Sequence, residues 1–289
     1  MGKLFDLEES GYFYSRLQNP TNDYVAEKIC ELEGGVAAML TSSGQAANYY
    51  AVFNICETGD HVVMSSMVYG GTFNLLVVTM KKMGIECTVV DPDWPVEEIN
   101  KAFRPNTKCV MAESIANPAL VVLDFEKFAK AAHDHEVPLI VDNTFATPIN
   151  CNPFQFGVDI VTHSTTKYMD GHAMTIGGAI VDSGNTLTEP MSGAPVSVLD
   201  VVTFQTLWPE GLPDFRVIPY HSVGKKNGIL YGYRIPQMKI RIHGVEKICS
   251  DVWLAVSEEE IAGREIPMLL HPALLKKTGK AGRSNYDLK

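Results

Sequence analysis

Between residues 36 and 161 the chain alternates short apolar runs with amphipathic stretches, and no other feature restricts its fold as much. The runs at 36–40, 61–64, 86–90, 109–113, 138–141 and 158–161 have strand length, are mostly apolar and read as buried strands. Helical patterns fill the gaps: 24–32, from the 41–47 turn to about residue 56, 72–83, 96–103 and 125–135. Strands separated by helices pair in parallel, with helices on both faces of the sheet. The expected fold is therefore α/β, a mostly parallel sheet covered by helices.

Open sheets of this kind bind ligands beyond the carboxyl ends of their strands, so those ends are where chemistry should sit. The run 158–161 leads into His163-Ser164-Thr165-Thr166-Lys167. A lysine there, shielded from water, can act as an amine nucleophile. The hydroxyls of Ser164 and Thr166 beside it suit a phosphate ester. An amine next to a phosphate site points to a pyridoxal phosphate Schiff base; taken alone, the same motif also reads as a solvated loop lysine. Thr41-Ser42-Ser43-Gly44-Gln45-Ala46-Ala47 turns from a strand into a helix start, where exposed N–H groups and the positive helix end face an anion. Such turns are also common without a ligand.

Asp142 closes the 138–141 strand and suits a protonated pyridine nitrogen, or equally a cap on the next segment. Tyr69, in Tyr69-Gly70-Gly71-Thr72, can stack on a planar ring or pack as a half-buried side chain. Asn117, before Pro118, can donate to a ring oxygen or simply make a turn. His163, His172 and the other histidines lack zinc-like spacing and read as structural, so no metal is expected.

The 289 residues carry a net charge of −10, which disfavours nucleic acid as the main partner. No apolar run approaches a membrane span, the N-terminus lacks the blocks of a signal peptide, and six scattered cysteines have no paired spacing. A soluble cytoplasmic protein with reduced thiols is the expectation. Charge is uneven: residues 1–189 hold 11 Lys and Arg against 24 Asp and Glu, whereas 190–289 hold 13 against 10. That shift sets the expected division into 1–188, a cofactor-binding large domain, and 189–289, an unassigned region.

Ser43-Gly44-Gln45, Tyr69-Gly70-Gly71-Thr72, Val141-Asp142-Asn143-Thr144 and Ser164-Thr165-Thr166-Lys167 occur together and in order. As a set, over about residues 2–184, they resemble the pyridoxal-phosphate enzymes of cysteine and methionine metabolism, the fold-type I trans-sulfuration group. The resemblance implies that Lys167 forms the Schiff base and moves protons at the substrate's α and β carbons. It implies that Asp142 pairs with the pyridinium nitrogen and that Tyr69 stacks on the ring and assists the leaving group. Gly44, Gln45, Ser164 and Thr166 would hold the phosphate, and Asn117 would lie near the ring hydroxyl. Tyr14 and Arg16 match a Tyr-x-Arg pair that reaches the phosphate of a neighbouring subunit, which implies a homo-oligomer, a dimer or tetramer, with shared sites. Within the group, Ser-Ser-Gly-Gln-Ala-Ala and Tyr-Gly-Gly-Thr-Phe-Asn look most like O-acetylhomoserine sulfhydrylases, which replace acetate by sulfide or a thiol on an amino-acid substrate. Family γ-lyases acting on methionine often carry cysteine where Gly71 stands; a methionine or cystathionine γ-lyase is the alternative.

The chain begins already inside the family pattern, and residues 190–289 show no family pattern beyond a faint Leu270-His271-Pro272-Ala273. Arg216, Arg234, Arg241, Arg264 and Arg283 are the candidates there for a substrate-carboxylate anchor. Pro and Gly interrupt this region, and a short helix is expected over 249–262. A one-base shift can turn Val196-Ser197-Val198-Leu199-Asp200 into Phe-Pro-Cys-Leu-Thr, close to family sequence, so a divergent or frame-shifted tail is expected. A third possibility for function follows: a truncated paralogue that binds pyridoxal phosphate with impaired catalysis.

Overall fold

The computed structural model describes residues 11–15, 19–184, 190–192, 194–209, 211–212, 214–222, 225–242, 245–257 and 268–269. The chain divides into two compact units, Met1–Ser183 and Gly184–Lys289.

Helix α1 (Pro20–Glu33) opens the first unit. Asn19 caps it through Oδ1, which accepts from the Thr21 N–H at 3.0 Å, and Pro20 supplies a preset φ at the first turn. Gly34, at φ +76°, stops it by turning its own N–H back to Cys30. There follow β1 (Ala37–Thr41), α2 (Gly44–Phe53), β2 (His61–Ser65), α3 (Gly70–Asn74), β3 (Glu86–Val90) and α4 (Val96–Asn100). Next come β4 (Thr107–Glu113), α5 (Phe125–Asp134), β5 (Leu139–Asp142), α6 (Thr147–Asn150), β6 (Ile160–His163) and β7 (Gly178–Asp182). The expected helix over 72–83 is α3 continued by a wider turn at Leu75–Thr79 and a tighter one at Met80–Met83.

Seven strands form one sheet in the order β1-β7-β6-β5-β4-β2-β3. Neighbours from β6 through β5, β4 and β2 to β3 are parallel, whereas β7 runs antiparallel to both β6 and β1. Six carboxyl ends therefore share one edge, and β7 begins there. The expected α/β architecture is the observed one.

Two apolar layers hold it. One gathers Val110, Phe128, Leu139, Val141 and Val161 beneath α5; the other gathers Val62, Met64, Leu76, Met80 and Met111. Phe128, Met64, Leu76 and Met80 are fully buried, each contributing about 1.5–3 kcal/mol by leaving water. Packing on both faces leaves the strand ends as the only part of β2, β4, β5 and β6 free to present polar groups at one edge.

The second unit contains β8 (Val196–Asp200), α7 (Val201–Leu207), β9 (Phe215–Ser222), β10 (Lys225–Ile242), β11 (Val245–Ser257) and β12 (Met268–Leu269). They form a five-stranded sheet ordered β12-β8-β11-β10-β9. The expected helix over 249–262 is corrected here: residues 249–257 belong to β11. Trp253 and Ala255 pack on one face while Val252 and Leu254 pack on the other, so both faces of this stretch are covered and its apolar run has no helical side. Residues 258–262 lie outside the described residues. Among those described, no helix is long and apolar enough to cross a membrane.

Candidate active site

The Ser43-Gly44-Gln45 and Ser164–Lys167 stretches meet although 120 residues separate Gly44 from Ser164 in sequence. A Cβ built on Gly44 would lie 2.4 Å from Ser164 Cβ and 2.9 Å from Ser164 Oγ. Only glycine permits this approach. Gly44 opens α2, with Ser43 Oγ capping the Ala46 N–H at 3.1 Å. The N–H groups of Gly44 and Gln45 belong to the first turn, which has no intrahelical acceptors for them. Ser164 and the α2 N-terminus thus line one cradle of anion character. Gly178 is needed for the same closure, since a Cβ there would lie 2.2 Å from the Ser43 carbonyl oxygen.

Thr166 is engaged elsewhere: its Oγ1 accepts the Gly177 N–H at 3.0 Å and donates to the Gly177 carbonyl at 3.2 Å. Lys167 follows directly and is exposed, with its N–H bonded to the Ser164 carbonyl at 3.2 Å. The shielding expected for this lysine is therefore not provided by the described residues of this chain alone.

Asp142 is 8 % exposed at the end of β5. Its Oδ2 accepts Asn48 Nδ2 at 3.0 Å, and its Oδ1 accepts the Thr144 N–H at 3.0 Å and Thr144 Oγ1 at 2.5 Å. A carboxylate offers about four acceptor positions. Three are filled, and the fourth, on Oδ2, is the one a ring N–H would take. Asn48 is itself fixed, donating to Thr72 Oγ1 at 3.1 Å and accepting from Thr162 Oγ1 at 2.5 Å. Thr144 Oγ1 also accepts the Ser164 N–H at 2.8 Å, so the carboxylate and the lysine segment are linked through one hydroxyl.

Tyr69 follows β2 and is 51 % exposed, while its backbone N–H donates to Glu113 Oε2 at 2.6 Å. Its ring leans over Gly71: a Cβ on Gly71 would lie 2.5 Å from Tyr69 Cε1 and 2.4 Å from Gln45 Nε2. Asn117 is exposed beyond β4. Tyr14 is 49 % exposed and precedes Arg16, which lies outside the described residues.

Sequence reading missed a second layer beneath these groups. Glu33, at the end of α1, is buried, and its Oε1 meets His163 Nε2 at 2.5 Å and accepts from Asn143 Nδ2 at 2.9 Å. Asn143 adjoins Asp142, and His163 adjoins Ser164. Asn48, Glu113, Thr144 and Thr162 complete the layer. Their only sequence signal is position: a polar residue inside an apolar strand end or on the inner face of a helix.

Of the arginines in the second unit, Arg216 lies over the Trp253 ring at 5.1 Å and Arg234 pairs with Asp251 at 2.9 Å. The side chain of Arg241, together with Arg264, Arg283 and the Leu270-His271-Pro272-Ala273 stretch, lies outside the described residues.

The sheet and its strand-end lysine are those of a fold-type I pyridoxal-phosphate-dependent large domain. The model of the Cys/Met metabolism PLP-dependent enzymes matches residues 1–208, and the chain belongs to that family. A second model, sporulation factor SpoIIGA, matches residues 165–274, less than half of the chain. Homocysteine/cysteine synthase of Kluyveromyces lactis is 50 % identical over 183 residues, 63 % of this chain and 41 % of the relative. L-methionine gamma-lyase of Porphyromonas gingivalis is 42 % identical over 207 residues, 69 % of this chain and 52 % of the relative. A crystal structure of an O-acetylhomoserine (thiol)-lyase from Campylobacter jejuni, carrying a pyridoxyl-lysine phosphate, superposes with a TM-score of 0.60 at 39 % identity. That superposition covers 63 % of this chain and 45 % of the other. The chain thus spans about two fifths to one half of the length of the relatives it matches.

Proposed function

We propose that the strand-end site holds pyridoxal phosphate and serves an O-acetylhomoserine sulfhydrylase reaction, replacing acetate by sulfide or a thiol to give homocysteine or methionine. The observation that carries the cofactor is the approach of Ser164 to Gly44 at the α2 N-terminus, too close for a Cβ on residue 44. When bound, the cofactor supplies an electron sink for the negative charge that develops at the substrate's α and β carbons. Lys167 holds it through Nζ and moves protons at those carbons. Asp142 takes the proton-bearing ring nitrogen on its remaining acceptor position. Tyr69 covers a ring face and assists the departing group, and Asn117 attends the ring hydroxyl. The Gly44 and Gln45 amides and the Ser164 hydroxyl bind the phosphate. Thr166, whose hydroxyl is engaged by Gly177, braces the turn that carries Ser164 and Lys167. Tyr14 and Arg16 of a neighbouring copy complete it in a homo-oligomer. Six cysteines without paired spacing favour a reducing cytoplasmic setting.

Gly71 supports the sulfhydrylase reading by resemblance, since family γ-lyases acting on methionine often carry cysteine at this position. The match to a γ-lyase over 207 residues keeps that reaction as the second reading. The test is purified full chain with pyridoxal phosphate, O-acetylhomoserine and sulfide. Homocysteine formation that depends on Lys167 is expected. Release of ammonia and a 2-oxo acid from methionine without added thiol would instead identify a γ-lyase. Cofactor binding without turnover would identify a binding chain with impaired catalysis. Failure to bind the cofactor would overturn the reading.

A further inference from the structure

Glu113 ends β4 and stands in register with Asp142 at the end of β5. It is buried, yet nothing in the chemistry above uses it. Its Oε2 takes the Tyr69 N–H at 2.6 Å, and the backbone amide of Asn117 also faces its carboxyl. One side chain therefore joins the loop after β2 to the loop after β4, beside the strand end that carries Asp142.

Two carboxyl groups on adjacent buried strand ends cannot both ionise without repulsion. Asp142 accepts three hydrogen bonds, from Asn48 Nδ2, the Thr144 N–H and Thr144 Oγ1. Glu113 is less well compensated: burial, then the Asp142 charge, push it up to about 8. At neutral pH it retains its proton, and its carbonyl oxygen remains an acceptor for the backbone amides.

We propose that Glu113 is a positioning residue that, as a neutral acid, clamps the Tyr69 loop to the strand end and leaves Asp142 the sole negative charge facing the ring nitrogen. The second half of this statement rests on the cofactor reading above; the clamp does not.

The experiment compares the full chain with Glu113→Gln, Glu113→Ala and Glu113→Asp in two measurements. Amide hydrogen exchange of the Tyr69 segment is followed without cofactor, and pyridoxal phosphate is titrated by its induced visible circular dichroism. Loss of one buried hydrogen bond corresponds to about tenfold, so Glu113→Ala is expected to speed Tyr69 exchange and to weaken cofactor binding by about that factor. Glu113→Gln, the isostere of the neutral acid, should stay within about twofold of the parent in both. If Glu113→Ala fails to fold, the Gln and Asp variants decide the matter. The Asp side chain is one methylene shorter and should free the Tyr69 amide, whereas Gln should not. Unchanged Tyr69 exchange in the Ala and Asp variants would overturn the clamp. Damage by Gln equal to that by Ala would overturn the neutral form. A parent chain that does not bind pyridoxal phosphate would remove the cofactor reading, while the exchange measurement would still judge the clamp.

Discussion

Gly44 and Ser164 touch across the site edge so closely that the first residue of α2 has no room for a side chain. Gly44→Ala is therefore expected to push the helix start away from Ser164. Overpacking of this kind costs about 1–3 kcal/mol, which is about 5- to 150-fold in an affinity if it falls on the bound state. Cofactor titration checks it. Affinity equal to the parent would show that the cradle tolerates the added methyl group.

Lys167→Ala should abolish the borohydride-fixable attachment of pyridoxal phosphate, read as a mass increment on the peptide containing residue 167. Asp142→Ala should leave that attachment in place and remove turnover, because the ring nitrogen loses its anionic partner. Full activity in the Asp142 variant would refute its role.

The Glu33–His163 contact is buried on both sides. Removing one partner strands the other, so His163→Ala should lower unfolding stability by about 2–4 kcal/mol. Denaturant unfolding of the apoprotein measures this. A loss below the error of that measurement would mean that the contact adds nothing to folding.

Two groups give opposite pH responses. His61 is buried between Thr107 and Thr88, and burial followed by the Arg104 charge lowers it from 6.5 to about 4. Between those values the unfolded chain binds the proton and the folded chain does not, so stability should fall as pH drops from 6.5 towards 4. Glu113 moves from 4.5 to about 8, so the folded chain holds the extra proton and stability should fall as pH rises through that span. Thermal unfolding against pH tests both: a neutral apolar replacement of His61 should flatten the acid limb, and Glu113→Gln the alkaline one.

Mixing Arg16→Ala chains with Lys167→Ala chains should restore part of the activity, provided that the parent is active and sites are shared between copies. No recovery from verified mixed oligomers would argue that each copy supplies its own phosphate ligands.

Much of this arrangement was legible in the residues. The 86–90 strand and the 125–135 helix fall where their patterns put them, because each depends on local periodicity and a cap such as Asp124, which accepts the Lys127 N–H. The strand-end positions of Lys167, Asp142 and Tyr69 follow from the same alternation. What escaped depends on distant partners. Glu33 reads as one more acid on an acidic helix until His163, 130 residues away, is placed against it. Asn48 reads as a helix residue until Asp142 and Thr162 reach it. The 249–257 stretch was misread because its apolar residues cover both sides of a strand, and such a run carries no period to distinguish it from a helix.

The reversal of β7 has a mechanical consequence. The chain leaves the site edge at Thr166 and returns to it at Gly177, and three hydrogen bonds between those residues close the excursion at its neck. Everything from Gly171 to Ile176 is exposed and hangs outside that neck. A closed neck insulates its base from events at the tip. Cleavage or insertion at the tip should therefore leave Lys167 in place, and this short excursion is where a tag or a reporter could enter the large unit without disturbing the anchor beneath it.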